Sequence, residues 1–237
     1  MIKKIHSHFV KVLQLLNPNK ENDSPYYDLK KNFINNEHRD YVGGKWDEIG
    51  KLQFNFLKKM GLNPEHKFID IGCGSLRGGV HFIRYLNNDN YFGTDITYEI
   101  INVGIEKELK PELRSKINMN NFIANSDFKI PFNEYFDFGL ALSVFTHLKE
   151  KNIELCLRNL HKRFKHGKFY ATFFVSNDSN YLSMVKQKDG VFTFHNKDPY
   201  HYTVTQIKNM AKNCKWKVKE IKSFIHPRNQ KMFEFYK

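Results

Sequence analysis

Short apolar runs alternate along the chain with segments whose apolar residues return every three or four positions, and from Asp47 onward the alternation is regular. Ile49, Leu52, Phe56, Leu57 and Met60 share one face of a predicted helix that Gly61 and Pro64 stop. Phe68-Ile69-Asp70-Ile71 reads as a strand feeding a glycine-rich turn, with 80–86 as the helix behind it. Residues 91–95, 121–124, 136–142 and 168–175 read as further strands, and 98–109 and 150–164 as helices. Strands alternating with helices predict an α/β domain on a Rossmann-like, doubly wound, mainly parallel sheet, with ligands at the carboxyl ends of the strands. The tail changes rhythm. After a helix at 203–213, the runs 216–224 and 231–236 are joined by a loop around Pro227 too short for a helical crossover, so they must pair antiparallel.

Ahead of this domain, Ile2, Ile5, Phe9, Val12, Leu13 and Leu16 fall at helical spacing, with Lys3, Lys4 and Lys11 mostly off that stripe. Such a basic amphipathic helix suits a peripheral membrane or partner contact through residues 2–16; packing on its own domain is the favoured reading. The expected organisation is therefore a helical extension over 1–40, polar and loop-like after residue 20 with room for one short helical piece, and a domain over 41–237. Hydrophobic residues make up 41% of the 237, with 22 Phe, enough for a full core. No apolar run approaches the roughly 20 residues of a membrane span, and the first segment is too broken by Lys and His for a signal sequence, which makes the cytoplasm the expected compartment. Cys73, Cys156 and Cys214 are far apart with no CxxC pairing, so neither a disulfide framework nor a metal site is expected. The net charge of +13 favours polyanionic or phosphorylated partners, but the basic residues are spread along the chain, and nucleic acid is not expected.

The chemistry concentrates at Asp70-Ile71-Gly72-Cys73-Gly74-Ser75-Leu76-Arg77-Gly78-Gly79. Glycines allow a tight turn and close ligand approach, and a helix amino end lies behind them. Gly72, Gly74 and Gly78 leave one residue more than the dinucleotide G-x-G-x-x-G spacing. Asp70, two positions before the first glycine, stands where an ammonium group could be held, which favours a cofactor bearing an amino acid over a pyrophosphate. Asp95 ends the next strand, where a carboxylate can accept hydrogen bonds from both ribose hydroxyls.

With these residues the chain resembles the class I, seven-stranded methyltransferases that use S-adenosylmethionine (SAM) and release S-adenosylhomocysteine. The resemblance runs over about 41–237 and includes the closing antiparallel hairpin. FIDIGCGSLRGG matches the family's first motif and YFGTDI its acidic second. Ser126-Asp127-Phe128 looks like the third, FDFGLALSVFTHL like the fourth, and NLHKRFKHGKFYATFF like the stretch into strand five, with His166-Gly167-Lys168 in place of the usual Pro-Gly-Gly turn. The resemblance implies that Asp70, Gly72 and Gly74 hold the methionine end, Asp95 and Ile96 the ribose and adenine, and Asp127 and Phe128 the adenine, with Ser143 beside the methyl group. Tyr41, Gly43 and Gly44 would form a lid or a structural turn. Arg77 would face either the cofactor carboxylate or a substrate phosphate. YVGGKWDEIG and HPRNQKM further resemble methyltransferases of bacterial surface-polysaccharide and sugar-tailoring genes.

Methyl transfer to a hydroxyl requires removal of its proton, a task suited to histidine. His147 follows the fourth strand at the mouth of the site, His201 lies after strand five and His226 in the hairpin turn; these are the candidate catalytic residues. The long stretch 176–202 mixes aromatics with lysine and reads as a binding loop. The chain lacks a Pro-Pro-aromatic motif after strand four, a Pro-Cys nucleophile and an acidic metal cluster, so oxygen methylation of a small-molecule or saccharide acceptor, anionic and possibly phosphorylated, nucleotide-linked or lipid-linked, is the expected activity. RNA methylation and a non-catalytic SAM-binding scaffold are the alternatives.

Overall fold

Neighbouring residues on the central strands part to opposite faces of one sheet, as a two-residue side-chain period requires. The computed structural model describes residues 37–237; the helix expected at 2–16, with its membrane or partner contact, lies outside them. Phe68, Phe138, Leu140, Tyr170 and Met232 enter one hydrophobic layer, and Ile69, Ala141, Phe169, Ala171 and Phe233 the other. Of the parallel strands β1 (Phe68–Ile71), β2 (Tyr91–Asp95), β3 (Phe122–Ala124), β4 (Phe138–Ala141) and β5 (Lys168–Val175), the central β1, β4 and β5 are buried on both faces and so read as nearly continuous apolar runs, while β3 at the edge is buried only at Phe122.

Two further strands, β9 (Lys217–Glu220) and β10 (Lys231–Tyr236), close the sheet in the order β3-β2-β1-β4-β5-β10-β9. β10 runs antiparallel to both β5 and β9, as the short connection demands. The register places Asp70 of β1 beside Gly93 of β2 and Leu140 of β4, so the carboxyl ends of the three strands open on one side. This is the Rossmann-like architecture expected from the sequence.

One face is covered by α2 (Trp46–Lys59), α3 (Gly79–Tyr85) and α4 (Tyr98–Glu108), which bring in Ile49, Leu57, Phe82 and Ile101. The other is covered by α6 (Glu150–His161) and α7 (Val204–Asn213), which bring in Ile153, Leu157, Leu160 and Ile207. Thr203 caps α7 through a reciprocal box with Gln206. α5 (Pro111–Arg114) is a single turn.

The single turn α5 and three short strands after β5 were not anticipated, whereas the first described helix begins where one short helical piece was expected. The helix α1 (Glu37–Tyr41) carries His38, whose Nε2 lies 2.6 Å from Glu108 of α4, while Arg39 reaches both oxygens of the same carboxylate at 2.7 Å. The described chain is thus already packed on the domain four residues before residue 41. Inside the long loop after β5, a hairpin pairs β6 (Val185–Lys186) with β7 (Phe192–Thr193), and β8 (His201–Tyr202) extends the main sheet beside Phe174 and Val175. Strands of two residues leave no periodicity to read. The third strand begins at Phe122 rather than Asn121, because 119–121 form a 3-10 turn whose Asn121 amide donates to Asp89 O at 2.8 Å.

Candidate active site at the carboxyl ends of the strands

Two glycines make the turn after β1 possible. Gly72 has φ +71°, and a Cβ there would lie 2.4 Å from Val144 Cγ2; Gly74 has φ +54°, and a Cβ would lie 2.8 Å from Val42 Cγ1. The turn is therefore pressed between the loop after β4 and the loop after α1. Its N–H groups from Gly72 and Cys73 both donate to Thr94 O, at 2.8 and 3.0 Å.

Asp70 occupies the position on β1 where its neighbour Phe68 puts an aromatic ring into the core. Burial raises its carboxyl to about 7, against the opposing effect of the Tyr91 hydroxyl, which donates to it at 2.8 Å. Asp95 accepts from the backbone N–H of Gly74 and of Ile96, each at 2.7 Å, and burial raises its carboxyl to about 6 despite those two bonds. A half-buried carboxylate fixed by two backbone donors still has lone pairs for further hydrogen bonds. Asn125 N donates to Asp95 O at 2.9 Å and so brings the loop after β3 to the same edge. There Asp127 is paired with Lys129 at 2.7 Å, and Phe128, half-buried with φ +53°, packs against the core.

The rim is tied by two arginines. Arg77 donates to Val42 O and Gly44 O, both at 2.9 Å, and Arg228 donates to Gly43 O. Arg77 thus holds the loop that carries Tyr41, Gly43 and Gly44. Ser143, with φ +60°, donates from its hydroxyl to Gln230 Oε1 at 3.0 Å and from its N–H to Thr172 Oγ1 at 2.7 Å. Neither Gln230 nor Thr172 was anticipated, since each meets Ser143 only through the sheet.

The three histidines have different surroundings. His147, in the 3-10 turn after β4, places Nδ1 2.6 Å from Asp198 Oδ1; its side chain is 28% exposed and that of Asp198 4%. His201 was a candidate base, but it is fully buried and both ring nitrogens are engaged, Nδ1 with Thr193 Oγ1 at 2.9 Å and Nε2 with Tyr181 O at 2.8 Å. That arrangement makes it a strut of the long loop. His226 is also buried, stacked on Phe224, and its Nδ1 accepts from the backbone N–H of Arg228 at 3.2 Å, so it shapes the turn that presents Arg228. Asp198 itself was missed, because nothing in the local sequence points it at a residue 51 positions away.

Among the described residues no group of three or more His, Cys, Asp or Glu side chains could hold a metal ion, and no helix is long and apolar enough to cross a membrane. The residues fit SAM on physical grounds. Gly72 and Gly74 form a cradle that a Cβ would fill, a buried carboxylate stands where an ammonium would neutralise it, and a second carboxylate marks the end of β2.

Comparison with known proteins agrees with this geometry. Residues 69–172, somewhat less than half of the chain, match a family described as a methyltransferase domain. A magnesium protoporphyrin IX methyltransferase from Synechocystis, solved with S-adenosylhomocysteine bound, superposes with a TM-score of 0.59 at 13% identity, covering 90% of each chain. A protein from Nostoc punctiforme described as an O-methyltransferase superposes at 0.58 with 17% identity over 81% of this chain; the chain spans 60% of that protein's length. A SAM-dependent methyltransferase from Methanosarcina mazei gives 0.54 at 16% identity, over 76% of this chain and 94% of its own. At these identities the likeness is one of fold: the chain has the class I methyltransferase fold.

Proposed function

We propose that the protein is a SAM-dependent methyltransferase acting on the oxygen of a small-molecule or saccharide acceptor. The observation that carries this reading is the pair of carboxylates, Asp70 and Asp95, at the ends of adjacent strands around a glycine turn too tight for side chains. The match of residues 69–172 and the fold of the structural neighbours support it. Asp70 would hold the ammonium, Asp95 and Ile96 the ribose and adenine, and Asp127 with Phe128 the adenine edge. Bound there, SAM would supply a methyl group carried on a sulfonium, for transfer to the acceptor oxygen.

His147 would take the hydroxyl proton of the acceptor, because it is the one of the three histidines that is partly exposed beside the β4 turn. Arg228 and the lysines at 186, 188 and 197 of the long loop after β5 would suit an anionic saccharide or sugar phosphate as acceptor. Titration calorimetry with S-adenosylhomocysteine and, separately, with NAD tests the cofactor assignment. Micromolar binding of the former that Asp95→Ala weakens at least tenfold is the expected result; preference for NAD would overturn the assignment. Tritiated SAM with a panel of nucleotide sugars and glycans then tests the acceptor class, and salt-sensitive labelling of RNA instead would replace it.

A further inference from the structure

We infer that Asp198 is the positioning residue of this methyl transfer, holding His147 in the tautomer and orientation that a general base needs. The inference rests on the role given to His147 above. Asp198 lies in the loop after β5, and its Oδ1 is 2.6 Å from Nδ1 of His147. A carboxylate with 4% of its side chain exposed costs free energy to bury, and here it pairs with an imidazole whose side chain is partly exposed.

The backbone around the pair is fixed on both sides. Tyr200 N–H donates to Thr146 O at 2.7 Å, and the Tyr202 hydroxyl donates to Leu148 O, so the carbonyls flanking His147 are bound by the segment that follows Asp198. Within that segment Phe194 N–H donates to Pro199 O and His201 N–H to Phe194 O, both at 2.9 Å. His201 then anchors it to Thr193 and Tyr181. The carboxylate therefore arrives at Nδ1 on a locally braced turn.

The chemistry follows from the imidazole. A carboxylate at Nδ1 accepts the Nδ1–H of the neutral ring, which puts the basic lone pair on Nε2. When the acceptor hydroxyl releases its proton to Nε2, the ring becomes a cation, and a fixed anion at its other nitrogen stabilises that charge without having to move. Asp198 touches no reacting atom.

Three measurements on the full chain test this. In wild type, nitrogen-15 spectra of labelled histidine should assign His147 to the Nδ1–H tautomer at neutral pH; an Nε2–H ring or an imidazolium overturns the inference. Diethyl pyrocarbonate, followed by peptide mass spectrometry at His147, should modify Asp198→Asn and Asp198→Ala severalfold more slowly than wild type, with Asp198→Glu restoring part of the rate. If Asp198 only braced the loop, its removal would expose the ring, and an unchanged or faster modification counts against positioning. Calorimetry with S-adenosylhomocysteine separates the two readings: retained binding with a failed histidine result overturns this inference alone, whereas absent binding in wild type overturns the cofactor assignment beneath it.

Discussion

On the cofactor side of the site, residues 70–96 are held mainly by backbone N–H donors: those of Gly74 and Ile96 on the Asp95 carboxylate and those of Gly72 and Cys73 on Thr94 O, with the Tyr91 hydroxyl on Asp70 beside them. On the acceptor side, side chains reach partners across long stretches of chain: Ser143 with Gln230, 87 residues on, His147 with Asp198, and Arg228 with the Gly43 carbonyl, 185 residues back. The two sides therefore fail in opposite ways. Adding atoms breaks the first, where there is no room; removing atoms breaks the second, where the contact is the atom removed.

The largest effect belongs to Gly72→Ala. Its new Cβ combines a positive φ with a clash on Val144, and urea unfolding should show a loss of about 2–4 kcal/mol. Adding Val144→Ala should recover the steric share and leave the backbone share. Asp95→Ala comes next, with S-adenosylhomocysteine affinity falling by about 1.5–3 kcal/mol, a factor of roughly 10 to 150, as expected for hydrogen bonds to a charged acceptor. A loss under threefold would show that the turn binds without it. Glu108→Gln removes a charge rather than a contact. Burial pushes the Glu108 carboxyl up, but Arg39 and His38 outweigh that and hold it below its usual range, so unfolding should show a loss of about 2 kcal/mol.

The pH dependence of stability sharpens the contrast. Asp70 has a folded pKa near 7 against an ordinary 3.8, so between those values the folded chain binds more protons than the unfolded one. Its contribution is fully present below about 4 and is lost as pH rises through 7. The difference in Tm between wild type and Asp70→Asn should therefore change steadily from pH 5 to pH 8, at the expense of wild type. The smallest effect is that of Arg228→Ala, about 1 kcal/mol, read as faster amide exchange at 42–44, the loop it clasps.

The same contrast explains what the sequence revealed. Apolar runs such as FIDI and KFYATFFV, with a short final connection, were sufficient for the sheet, its direction and its closing hairpin, because strands buried on both faces are written as contiguous apolar residues. The glycine turn and its two aspartates were legible for a related reason, since their geometry is a property of a few adjacent positions. Asp198, Gln230 and the carbonyls held by Arg77 and Arg228 were not, because their partners become neighbours only when the sheet assembles. His201 and His226 show the converse: residue type and loop position suggested chemistry, and burial made them supports.

Asp70 has one more consequence, which concerns heat. Burial raises this carboxyl to about 7 in the free protein, and among the described residues Arg77 is the cation that opposes the rise. A ligand ammonium placed there would drive the proton into solution, so part of the calorimetric signal would be the buffer taking it up. Measured enthalpies of S-adenosylhomocysteine binding in phosphate and in Tris should then differ by a fraction of the difference in the two buffers' ionisation enthalpies, and in Asp70→Asn that dependence on the buffer should disappear.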